Sequence, residues 1–382
     1  VLEKAAQPGA AWRNGRWDSF TLVTPNWSFR LPGANYAGPD RDGFMSREQL
    51  VTAFEQYQAN NHLPVQHDSE VLSVAPDENG GYLLQTRLND QTETLRAQNV
   101  VIATGLYQRS RIPSYAKAVP AAVLQLHSSA YRNPQALPPG AVLVIGAGQS
   151  GGQIAEELHE SGRKVYLSIG FAPLTPRRYR GKDIYHWADQ TGFLSRTVDQ
   201  LPSPAQRFIS NPLLSGKNGG HAMNPHQFYR AGITLLGRVI GYEAPSFHFA
   251  PDLKENLTKS DAAGANFCAM IDRYIQQNQL NAPEEKLTPL ADGYQAPIIE
   301  SLDLQALGIS VVIWANGYSA DYGLVRLPVT DEQGFPITQR GVTRFPGLYF
   351  LGMFWLHTPR SGLLLGVGED AEYLAGRIGA VS

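Results

Sequence analysis

Three glycines at the end of an apolar strand are the residues whose types and spacing most clearly indicate chemistry. The strand, residues 142–145, runs directly into Gly146, Gly148 and Gly151 in the spacing GxGxxG, and an amphipathic helical pattern follows. In such a turn the first glycine allows a tight bend, the second lets the backbone approach a pyrophosphate, and the third lets the helix pack on the strand. The pattern predicts a dinucleotide-binding turn made of Gly146, Gly148, Gln149, Ser150 and Gly151. A purely structural glycine turn is the alternative.

A serine and three arginines follow the next strand. Ser168 ends this strand, where an NAD-dependent fold normally places an acid, and Arg177, Arg178 and Arg180 come shortly after it. A serine does not repel a phosphate, and guanidinium groups bind phosphate through two parallel hydrogen bonds. The combination favours NADPH, recognised by its 2′-phosphate. The alternative is a solvated basic loop.

The composition excludes several other kinds of chemistry. The chain carries 32 Lys and Arg against 34 Asp and Glu, a net charge of −2, which gives no indication of a nucleic-acid partner. The single cysteine, Cys268, excludes an internal disulfide, CxxC redox chemistry and thiolate zinc sites. No apolar run approaches the roughly 18 residues of a membrane span, so we expect a soluble, cytoplasmic protein without a membrane partner. The sequence contains no evident metal-ligand cluster or serine nucleophile, and it leaves the oligomeric state open.

The first residues look like the continuation of a nucleotide-binding unit. Val1, Leu2 and Glu3 form an apolar strand that ends in an acid. In such folds this acid bonds the adenosine ribose and stands about 20 residues after the last glycine of a first turn. No such turn precedes it here. Because the missing strand is the central one of its sheet, we expect unpaired backbone beside Leu2 and a chain that is a fragment of a longer protein.

Periodicity predicts the elements that position these residues. A capping box at Ser46 predicts a helix over 46–60. Alternating or continuous apolar residues predict strands over 65–74, 82–88, 99–103, 164–169, 309–315 and 347–352. Two further helices are predicted, over 253–277 and from Gly366 onward. Residues 17–36 are interpreted as an ordered loop, and residues 201–226 as a long insertion that is more typical of a functional lid than of a connector.

Several short motifs occur in an order and spacing that are specific together, although each is weak alone. They are Leu2-Glu3 with Trp12-Arg13, Ala103-Thr104-Gly105, the turn at 146–151, Ala315-Asn316-Gly317-Tyr318 with Asp321-Tyr322, and residues 347–352 with 366–371. Together they resemble the flavin-containing monooxygenase superfamily over the full chain. The resemblance implies an α/β fold of two Rossmann-like dinucleotide-binding domains. The FAD domain would comprise residues 1–117, without its first βα unit, and 318–382, with an NADPH domain inserted at 118–317.

The sequence departs from that superfamily in three places. Its FxGxxxHxxxF/Y fingerprint keeps His127 and Tyr131 but has Ala121 and Val123 where Phe and Gly belong. Asn316 replaces the usual Thr of the second ATG-type motif, and the first glycine turn is missing. These departures bear on FAD affinity rather than on the fold, and we expect the 382-residue chain to hold little FAD.

The resemblance also implies roles at the flavin. Glu3 would bond the adenosine ribose of FAD, Trp12 and Arg13 would lie along its pyrophosphate or ring, and Asp370 would lie near its ribityl chain. A solvated strand end is the alternative for Glu3. Val71 could meet adenine through its backbone, but an ordinary core valine is an equal alternative. The other cofactor-binding positions that we predict are Lys4, Thr104, Gly105, Asn316 and Gly317.

Two residues are catalytic candidates. Asn26 follows Pro25 in a loop that the resemblance places close to the isoalloxazine, where its amide would bond a flavin-bound peroxide. An Asx turn is the alternative. His357 lies in a polar, glycine-rich loop that follows a strand end, where ligands bind in open sheets. We interpret His127, by contrast, as a brace at the domain junction.

Together these observations predict an enzyme that uses FAD and NADPH. The resemblance implies a monooxygenase that inserts one oxygen atom of O2 into a small organic substrate through a C4a-peroxyflavin. Two alternatives remain, namely an NADPH-dependent flavin reductase or oxidase, and an NADPH-binding protein without flavin.

Overall fold

The computed structural model describes residues 1–208 and 211–380, so positions 209–210 of the predicted insertion and 381–382 of the last segment lie outside it. Its α-helices are α1 (Ala10–Arg13), α2 (Arg47–Asn60), α3 (Gln149–Glu160), α4 (Ile184–Gln190), α5 (Pro225–Ala231), α6 (Leu253–Gln277) and α7 (Val367–Gly379). The strands of the first third are β1 (Arg30–Leu31), β2 (Ala34–Asn35), β3 (Ser69–Pro76), β4 (Tyr82–Leu88), β5 (Gln91–Ala97), β6 (Val100–Ile102), β7 (Arg109–Ser110) and β8 (Leu124–His127).

The later strands complete the sheets. They are β9 (Ala141–Ile145), β10 (Val165–Ser168), β11 (Arg178–Tyr179), β12 (Lys182–Asp183), β13 (Leu214–Ser215), β14 (His221–Ala222), β15 (Thr234–Leu236), β16 (Val239–Glu243), β17 (Ser246–Phe249), β18 (Ser301–Asp303), β19 (Ile309–Trp314), β20 (Tyr318–Ser319) and β21 (Leu348–Phe350).

A five-stranded parallel sheet is the centre of the molecule. Its order is β15-β10-β9-β19-β8, and all four pairings are parallel. The chain leaves β9 toward β10 on one side, while β19 and β8 lie on the other, so the strand order reverses at the carboxyl end of β9. Ligands bind at such a switch point in open α/β sheets. The predicted α/β class with a Rossmann-like parallel sheet is confirmed.

The sheet is buried on both faces. The side chains of Val142, Val144 and Leu167 pack into one core together with helix α3 and with the N-terminal loop that carries Trp17 and Phe20. Leu143 and Trp314 face the other side, where β16, β17 and β18 cover the sheet. Strands buried on both faces consist of continuous apolar residues, as in β9 and β19. This is why both strands were predictable from sequence.

A narrower parallel pair lies outside the five-stranded sheet. β6 and β21 run parallel, and Val74 of β3 bridges Val325 next to them. Leu2 forms an isolated parallel bridge with Gln66. Among the described residues, β6 pairs only with β21 and Leu2 only with Gln66, so each has one unpaired edge. The middle residue of β6, Val101, is 38% exposed. β6 is therefore an exposed edge strand among the described residues.

Local signals account for most element boundaries. The capping box at Ser46 and Gln49 opens α2 as predicted, and α6 spans the predicted 253–277. The strand predicted over 65–74 begins later, at Ser69, because Asp68 has a φ of 55° and breaks the extended backbone. The strand β5 was not predicted, because nearly all of its residues are exposed and show no apolar alternation.

The loop and the insertion both contain more structure than predicted. Residues 17–36 include a one-turn 3-10 helix at Asn26–Ser28 and the β1–β2 pair. The insertion includes the β13–β14 pair and the start of α5. In the described parts of the chain, no helix has the length and apolar character needed to cross a membrane.

Candidate functional site

The glycine turn joins β9 to α3. Gly146 has a φ of 102°, which favours glycine, and its N–H donates to the carbonyl of Ser168 at 3.2 Å. A Cβ on Gly151 would lie 1.8 Å from the carbonyl oxygen of Gly146. Only glycine therefore lets the helix start this close to the strand, which is the packing role predicted for the third glycine.

The start of α3 is open toward solvent and rich in donors. A Cβ on Gly148 would meet no atom within 4 Å, and no side chain caps the helix. Ser150 follows in the first helical turn, whose N–H groups have no intrahelical acceptor. The Gln149 side chain accepts from the Leu214 N–H at 2.9 Å, while its Nε2 is buried without a partner among the described residues. Free N–H groups at a helix N-terminus fit a pyrophosphate, so this part of the chain fits a dinucleotide.

The end of β19 lies against the same turn. A Cβ on Gly146 would lie 2.6 Å from the carbonyl oxygen of Ala315 and 3.4 Å from Oδ1 of Asn316. Gly317 follows with a φ of 77°, and its carbonyl accepts from Nε2 of His127 at 3.0 Å. The structure therefore brings Asn316 and Gly317 close to the turn, and their predicted role in cofactor binding stays a prediction.

His127 links the end of β8 to the loop that follows β19, and its interpretation as a brace at the domain junction stays a prediction. Its Nδ1 accepts from the Ser129 N–H at 3.2 Å, while Nε2 donates to Gly317, so both ring nitrogens are engaged. Burial lowers the pKa of this histidine. Just beyond it, β7 and β20 pair where the chain passes between the regions.

Ser168 lies at the carboxyl edge of the sheet, but its hydroxyl faces inward. The residue is 3% exposed, and its Oγ donates to the Gly237 carbonyl at 2.9 Å. This bond joins the end of β10 to the loop after β15. The predicted contact between the Ser168 hydroxyl and a phosphate would require this internal bond to be exchanged.

Arg177 is buried among protein groups. Its Nη2 lies 2.7 Å from Oδ2 of Asp183, and Nη1 donates to the Val23 carbonyl at 2.6 Å. The guanidinium carbon lies 4.2 Å from the ring centre of Phe44. Burial lowers the pKa of Arg177 and raises that of Asp183, although each attracts the other. Desolvation therefore outweighs the attraction, and Arg177 holds two chain segments together.

The other two arginines of the loop are also engaged. Arg178 donates to the carbonyls of Gly219 and Gly220 at 2.7 and 3.2 Å. Arg180 donates to Asp272 at 2.9 Å. The structure thus disperses the three arginines over the insertion, α6 and the N-terminal loop and does not gather them beside Ser168.

Asn26 is a buried loop residue with both ends of its amide engaged. Its Nδ2 donates to the Asp40 carbonyl at 2.9 Å, and its Oδ1 accepts from the Met45 N–H at 2.7 Å. Asn26 thereby fixes the course of residues 40–45. The amide holds the loop, and its second N–H is the group that remains for a ligand.

His357 lies in the loop that follows β21. Its backbone N–H donates to Ser361 Oγ at 3.2 Å, and its carbonyl accepts from the Val198 N–H at 2.8 Å. Nearby, Arg360 donates to Asp189 and Ser195 at 2.9 and 3.0 Å. The loop after β21 is therefore held in place by residues 189–198. In the described residues no hydrogen bond joins His357 to Asn26.

At the chain start, the predicted FAD ligands form local contacts. Glu3 accepts from the Ala5 N–H at 2.8 Å, and Lys4 pairs with Glu70 at 2.6 Å on the surface. Val71 follows in β3, half-buried. Glu3 is exposed and follows the isolated bridge at Leu2, where a strand was predicted, and this is compatible with both of its sequence interpretations.

Trp12 and Arg13 lie on the short helix α1. The Trp12 ring lies 5.7 Å from the Phe20 ring, and Arg13 donates to Glu55 at 2.6 Å. The Nε of Arg13 is buried and unpartnered in the part of the chain that the structure describes.

A buried carboxylate oxygen without a hydrogen-bond donor lies at the start of α7. Asp370 in the first turn of α7 is 3% exposed, and its Oδ1 accepts from Arg340 Nε at 2.9 Å. Its Oδ2 is buried and unpartnered among the described residues. A buried carboxylate oxygen without a donor fits a hydroxyl-bearing ligand such as a ribityl chain, so these residues fit FAD at this point. Thr104 and Gly105 lie at the exposed end of β6, where Gln108 bonds both.

Sequence reasoning missed an aromatic group beside Asn26. Trp27 Nε1 and His186 Nε2 are both buried without a partner among the described residues, and their rings lie 6.1 Å apart, edge to face. Tyr185 directly precedes His186 in the chain, and burial raises the pKa of its hydroxyl to about 12. No sequence pattern joins the segment around Asn26 to that around His186, so only the fold could show this group.

The insertion docks on the outer face of α3. Leu214 accepts a hydrogen bond from Gln153 at 3.1 Å, and His221 contacts Glu156 at 2.8 Å. Lys217 pairs with Glu160. The nucleotide-binding helix and the insertion are therefore held together by groups of opposite charge.

We expect this docking to weaken as the pH rises. The hydrogen bond to Glu156 raises the pKa of His221, so the folded state binds the proton more tightly than the unfolded chain does. The stabilisation is complete below the ordinary histidine pKa of about 6.5 and is lost as the pH rises through the folded value. Hydrogen exchange over residues 213–222, corrected for intrinsic rates, should show less protection at pH 8.5 than at pH 6. The variant His221→Gln should remove this difference, whereas a His62→Gln control should retain it.

Two kinds of reactive centre, a metal-ligand cluster and a reactive thiolate, are not present in the described residues. No group of three or more His, Cys, Asp or Glu side chains is placed to hold a metal ion there. Cys268 is buried on α6, and burial raises the pKa of its thiol to about 11. A thiol with that pKa is not a thiolate at neutral pH.

Comparisons with known proteins agree with this geometry. A sequence profile of the family described as pyridine nucleotide-disulphide oxidoreductase matches residues 2–187. An uncharacterized oxidoreductase of Geobacillus kaustophilus, described as CzcO-like, is 32% identical over 376 residues, which cover 98% of this chain and 89% of that protein.

Two solved structures share the fold at low identity. The flavin-containing monooxygenase from Stenotrophomonas maltophilia superposes with a TM-score of 0.64 at 18% identity, over 100% of this chain and 90% of that one. The bacillithiol disulfide reductase from Bacillus cereus gives a TM-score of 0.63 at 16% identity, over 100% and 91%. One architecture thus carries two different chemistries, and the site residues must distinguish them.

Proposed function

Because this chain belongs to the CzcO-like oxidoreductases, within the flavin-containing monooxygenase superfamily, we propose that it is an FAD- and NADPH-dependent monooxygenase. It inserts one oxygen atom of O2 into a small organic substrate by the C4a route that the resemblance implies. NADPH supplies two electrons, one oxygen atom enters the product, and the other leaves as water.

One observation supports this proposal, namely that two regions fit parts of dinucleotides in a chain whose described part has no metal-ligand cluster. The glycine turn with Gln149 fits one dinucleotide, and the orphaned Oδ2 of Asp370 fits a hydroxyl of the other. The buried Cys268 does not supply a thiolate. This argues against the chemistry of a disulfide reductase, and electron transfer between two cofactors remains.

Each site residue has a proposed role in this scheme. The turn at 146–151 holds the NADPH pyrophosphate, and Asn316 with Gly317 supports that turn from β19. Asp370 receives a ribityl hydroxyl. Residues proposed to line the rest of the FAD site are Glu3, Lys4, Trp12, Arg13, Val71, Thr104 and Gly105. When bound, reduced FAD would supply the activation of O2.

Asn26 and His357 are proposed to lie at the reaction centre. Asn26 already holds residues 40–45, so it shapes the loop and offers one further N–H. His357 is held by its backbone, which leaves its imidazole available as a hydrogen-bonding group. The half-buried rings of Trp27 and His186, whose Nε1 and Nε2 atoms are buried, are proposed to limit the access of water beside them.

The two alternatives remain distinguishable from this proposal. A flavin reductase or oxidase is favoured by the prior engagement of the Asn26 amide. A protein without flavin is favoured by the unpaired edges of Leu2 and β6. A cytoplasmic location is part of the proposal.

We expect labelled oxygen to enter the product. The chain is first supplied with FAD and its bound flavin is measured by absorbance. It is then given NADPH, 18O2 and a soft nucleophile such as an amine or a sulfide. Mass spectrometry should find one labelled atom per product molecule, and substrate should accelerate NADPH oxidation. All electrons appearing as hydrogen peroxide, without label in any product, would establish the reductase or oxidase alternative.

The variant Asn26→Ala tests the reaction centre. It should release more hydrogen peroxide per NADPH consumed, because flavin reduction does not need the amide whereas oxygen transfer does. The control is Asn133→Ala, which removes another loop asparagine whose Oδ1 accepts a backbone N–H at 2.9 Å. Equal peroxide release from both variants would show that the Asn26 effect is only structural.

A further inference from the structure

We propose that Arg238, which follows β15, binds the 2′-phosphate of NADPH and sets the preference for NADPH over NADH. This inference rests on the proposed use of NADPH. In dinucleotide-binding sheets the adenosine ribose lies at the carboxyl end of the second strand, here β10, where an acid or an arginine reads its 2′ position.

Arg238 lies at that edge of the sheet. β15 is parallel to β10 and in register with it, so that Ser168 lies opposite Leu236. The Ile169 N–H donates to the Leu236 carbonyl at 2.9 Å, which keeps the two strand ends side by side. A Cβ on Gly170 would lie 3.7 Å from Cγ of Arg238, so the arginine stem runs along the glycine that follows β10.

The guanidinium is anchored on one side and free on the other. Asp252 accepts from the backbone N–H of Arg238 at 2.9 Å and from its Nε at 2.6 Å. The side chain is 66% exposed, and Nη1 and Nη2 have no partner in the described residues. Two parallel N–H donors held in a fixed orientation match two oxygens of a phosphate.

Gly237 makes this arrangement possible. A Cβ there would lie 2.0 Å from the Ala250 carbonyl oxygen and 2.7 Å from Oδ1 of Asp252. The close approach of this segment brings Asp252 to Arg238. The Gly237 carbonyl also receives the Ser168 hydroxyl, so β10 and the arginine loop form one unit.

The nearby arginines do not compete for this role. Arg177, Arg178 and Arg180 all bond carboxylates or carbonyls elsewhere. Acidic groups near Arg238 are Asp252 and Glu255, and Glu255 is paired with Lys259 at 2.5 Å. Both of these acids are thus paired with a basic side chain, and β10 itself ends in Ser168 where an acid would repel a 2′-phosphate. Beside it, the guanidinium group of Arg238 is exposed to solvent.

Binding of two nucleotide fragments tests this inference without flavin or turnover. Titration calorimetry compares 2′,5′-ADP with 5′-AMP, which lacks the 2′-phosphate. Arg238→Ala should weaken 2′,5′-ADP roughly 10- to 100-fold, the range for one charge-assisted pair, and leave 5′-AMP within about twofold. Arg238→Lys should fall between, because it keeps the charge and loses the fork.

The matched control is Arg230→Ala. Arg230 forms the same kind of surface pair with Asp292, through Nε and Nη2 at 2.8 and 2.7 Å. The variant should leave the affinity for both nucleotide fragments unchanged. Thermal melting shows whether each variant folds. Equal weakening of both fragments by Arg238→Ala, or no weakening of 2′,5′-ADP, would overturn the assignment. The result is independent of whether labelled oxygen enters a product, so the two proposals fail separately.

Discussion

Replacing Gly151 by alanine should strongly weaken nucleotide binding and destabilise the whole chain. The new methyl group would lie 1.8 Å from the Gly146 carbonyl oxygen and 3.0 Å from Cβ of Ala315, so α3 must move away from the sheet. Both neighbours are held in the fold, one by the turn and one by β19. Overpacking of this kind costs about 1–3 kcal/mol or more. Loss of even one charge-assisted bond to the pyrophosphate would weaken binding by about tenfold or more.

Two other glycines separate the steric effect from the loss of a glycine. Gly148→Ala adds a methyl group with no atom within 4 Å, so the unfolding free energy should change by less than about 1 kcal/mol. Gly376→Ala, in α7, also meets open space and should stabilise by roughly 0.5–1 kcal/mol. Denaturant unfolding and calorimetry with NADPH measure these effects. If Gly151→Ala had the same unfolding free energy and the same affinity for NADPH as the wild type, the close approach of helix and strand would be refuted.

The same turn shows why part of this site could be predicted from the sequence. Its geometry depends on residues within one strand–turn–helix unit, and both the apolar β9 and the glycine spacing are local signals. The capping box that opens α2 is equally local. Such patterns are decided by backbone sterics and by hydrogen bonds between near neighbours, so one sequence contains enough information.

The roles of individual polar side chains were not predictable in this way. Arg177 follows Ser168 closely in sequence, but its partners include Val23 and Phe44, which are more than 100 residues away. Arg238 is distant in sequence from Ser168 and lies at the same strand edge, because β15 pairs with β10. The sequence therefore favoured the basic loop as a phosphate site, whereas the strand pairing brings another arginine, Arg238, to the sheet edge beside Ser168. The roles of Ser168, Asn26 and His357 stay predictions.

The buried ion pair of Arg177 and Asp183 gives the second large expected effect. Asp183→Asn should destabilise the chain by about 3–5 kcal/mol, because it leaves the guanidinium buried without its counter-charge. Both side chains are buried, with exposed fractions of 3% and 5%. Asparagine retains the shape of the residue and can retain the capping bond of Oδ1 to the Tyr185 N–H, which is 2.9 Å long in this structure. Its NH2 group then replaces the oxygen that accepts from Arg177, so the change removes the counter-charge and that acceptor together.

A surface pair of the same length is the control. Arg230 and Asp292 also lie 2.7 Å apart, but their side chains are 59% and 28% exposed. Asp292→Asn should change the unfolding free energy by no more than about 1 kcal/mol, because water solvates the arginine that remains. Both values come from denaturant unfolding at neutral pH.

The double variant Arg177→Met with Asp183→Asn decides what the pair contributes. Burial shifts the pKa of both groups toward their neutral forms, so desolvation already exceeds their attraction. Removing both charges should therefore recover most of the stability that Asp183→Asn loses, and the two substitutions should be strongly non-additive. If the double variant were as unstable as the sum of the single variants, the loss would come from the Val23 and Phe44 contacts of Arg177 and not from an uncompensated charge. If the double variant recovered its stability, the ion pair would add no net stability over apolar packing. Its contribution would then be to select one arrangement of the N-terminal loop relative to α4.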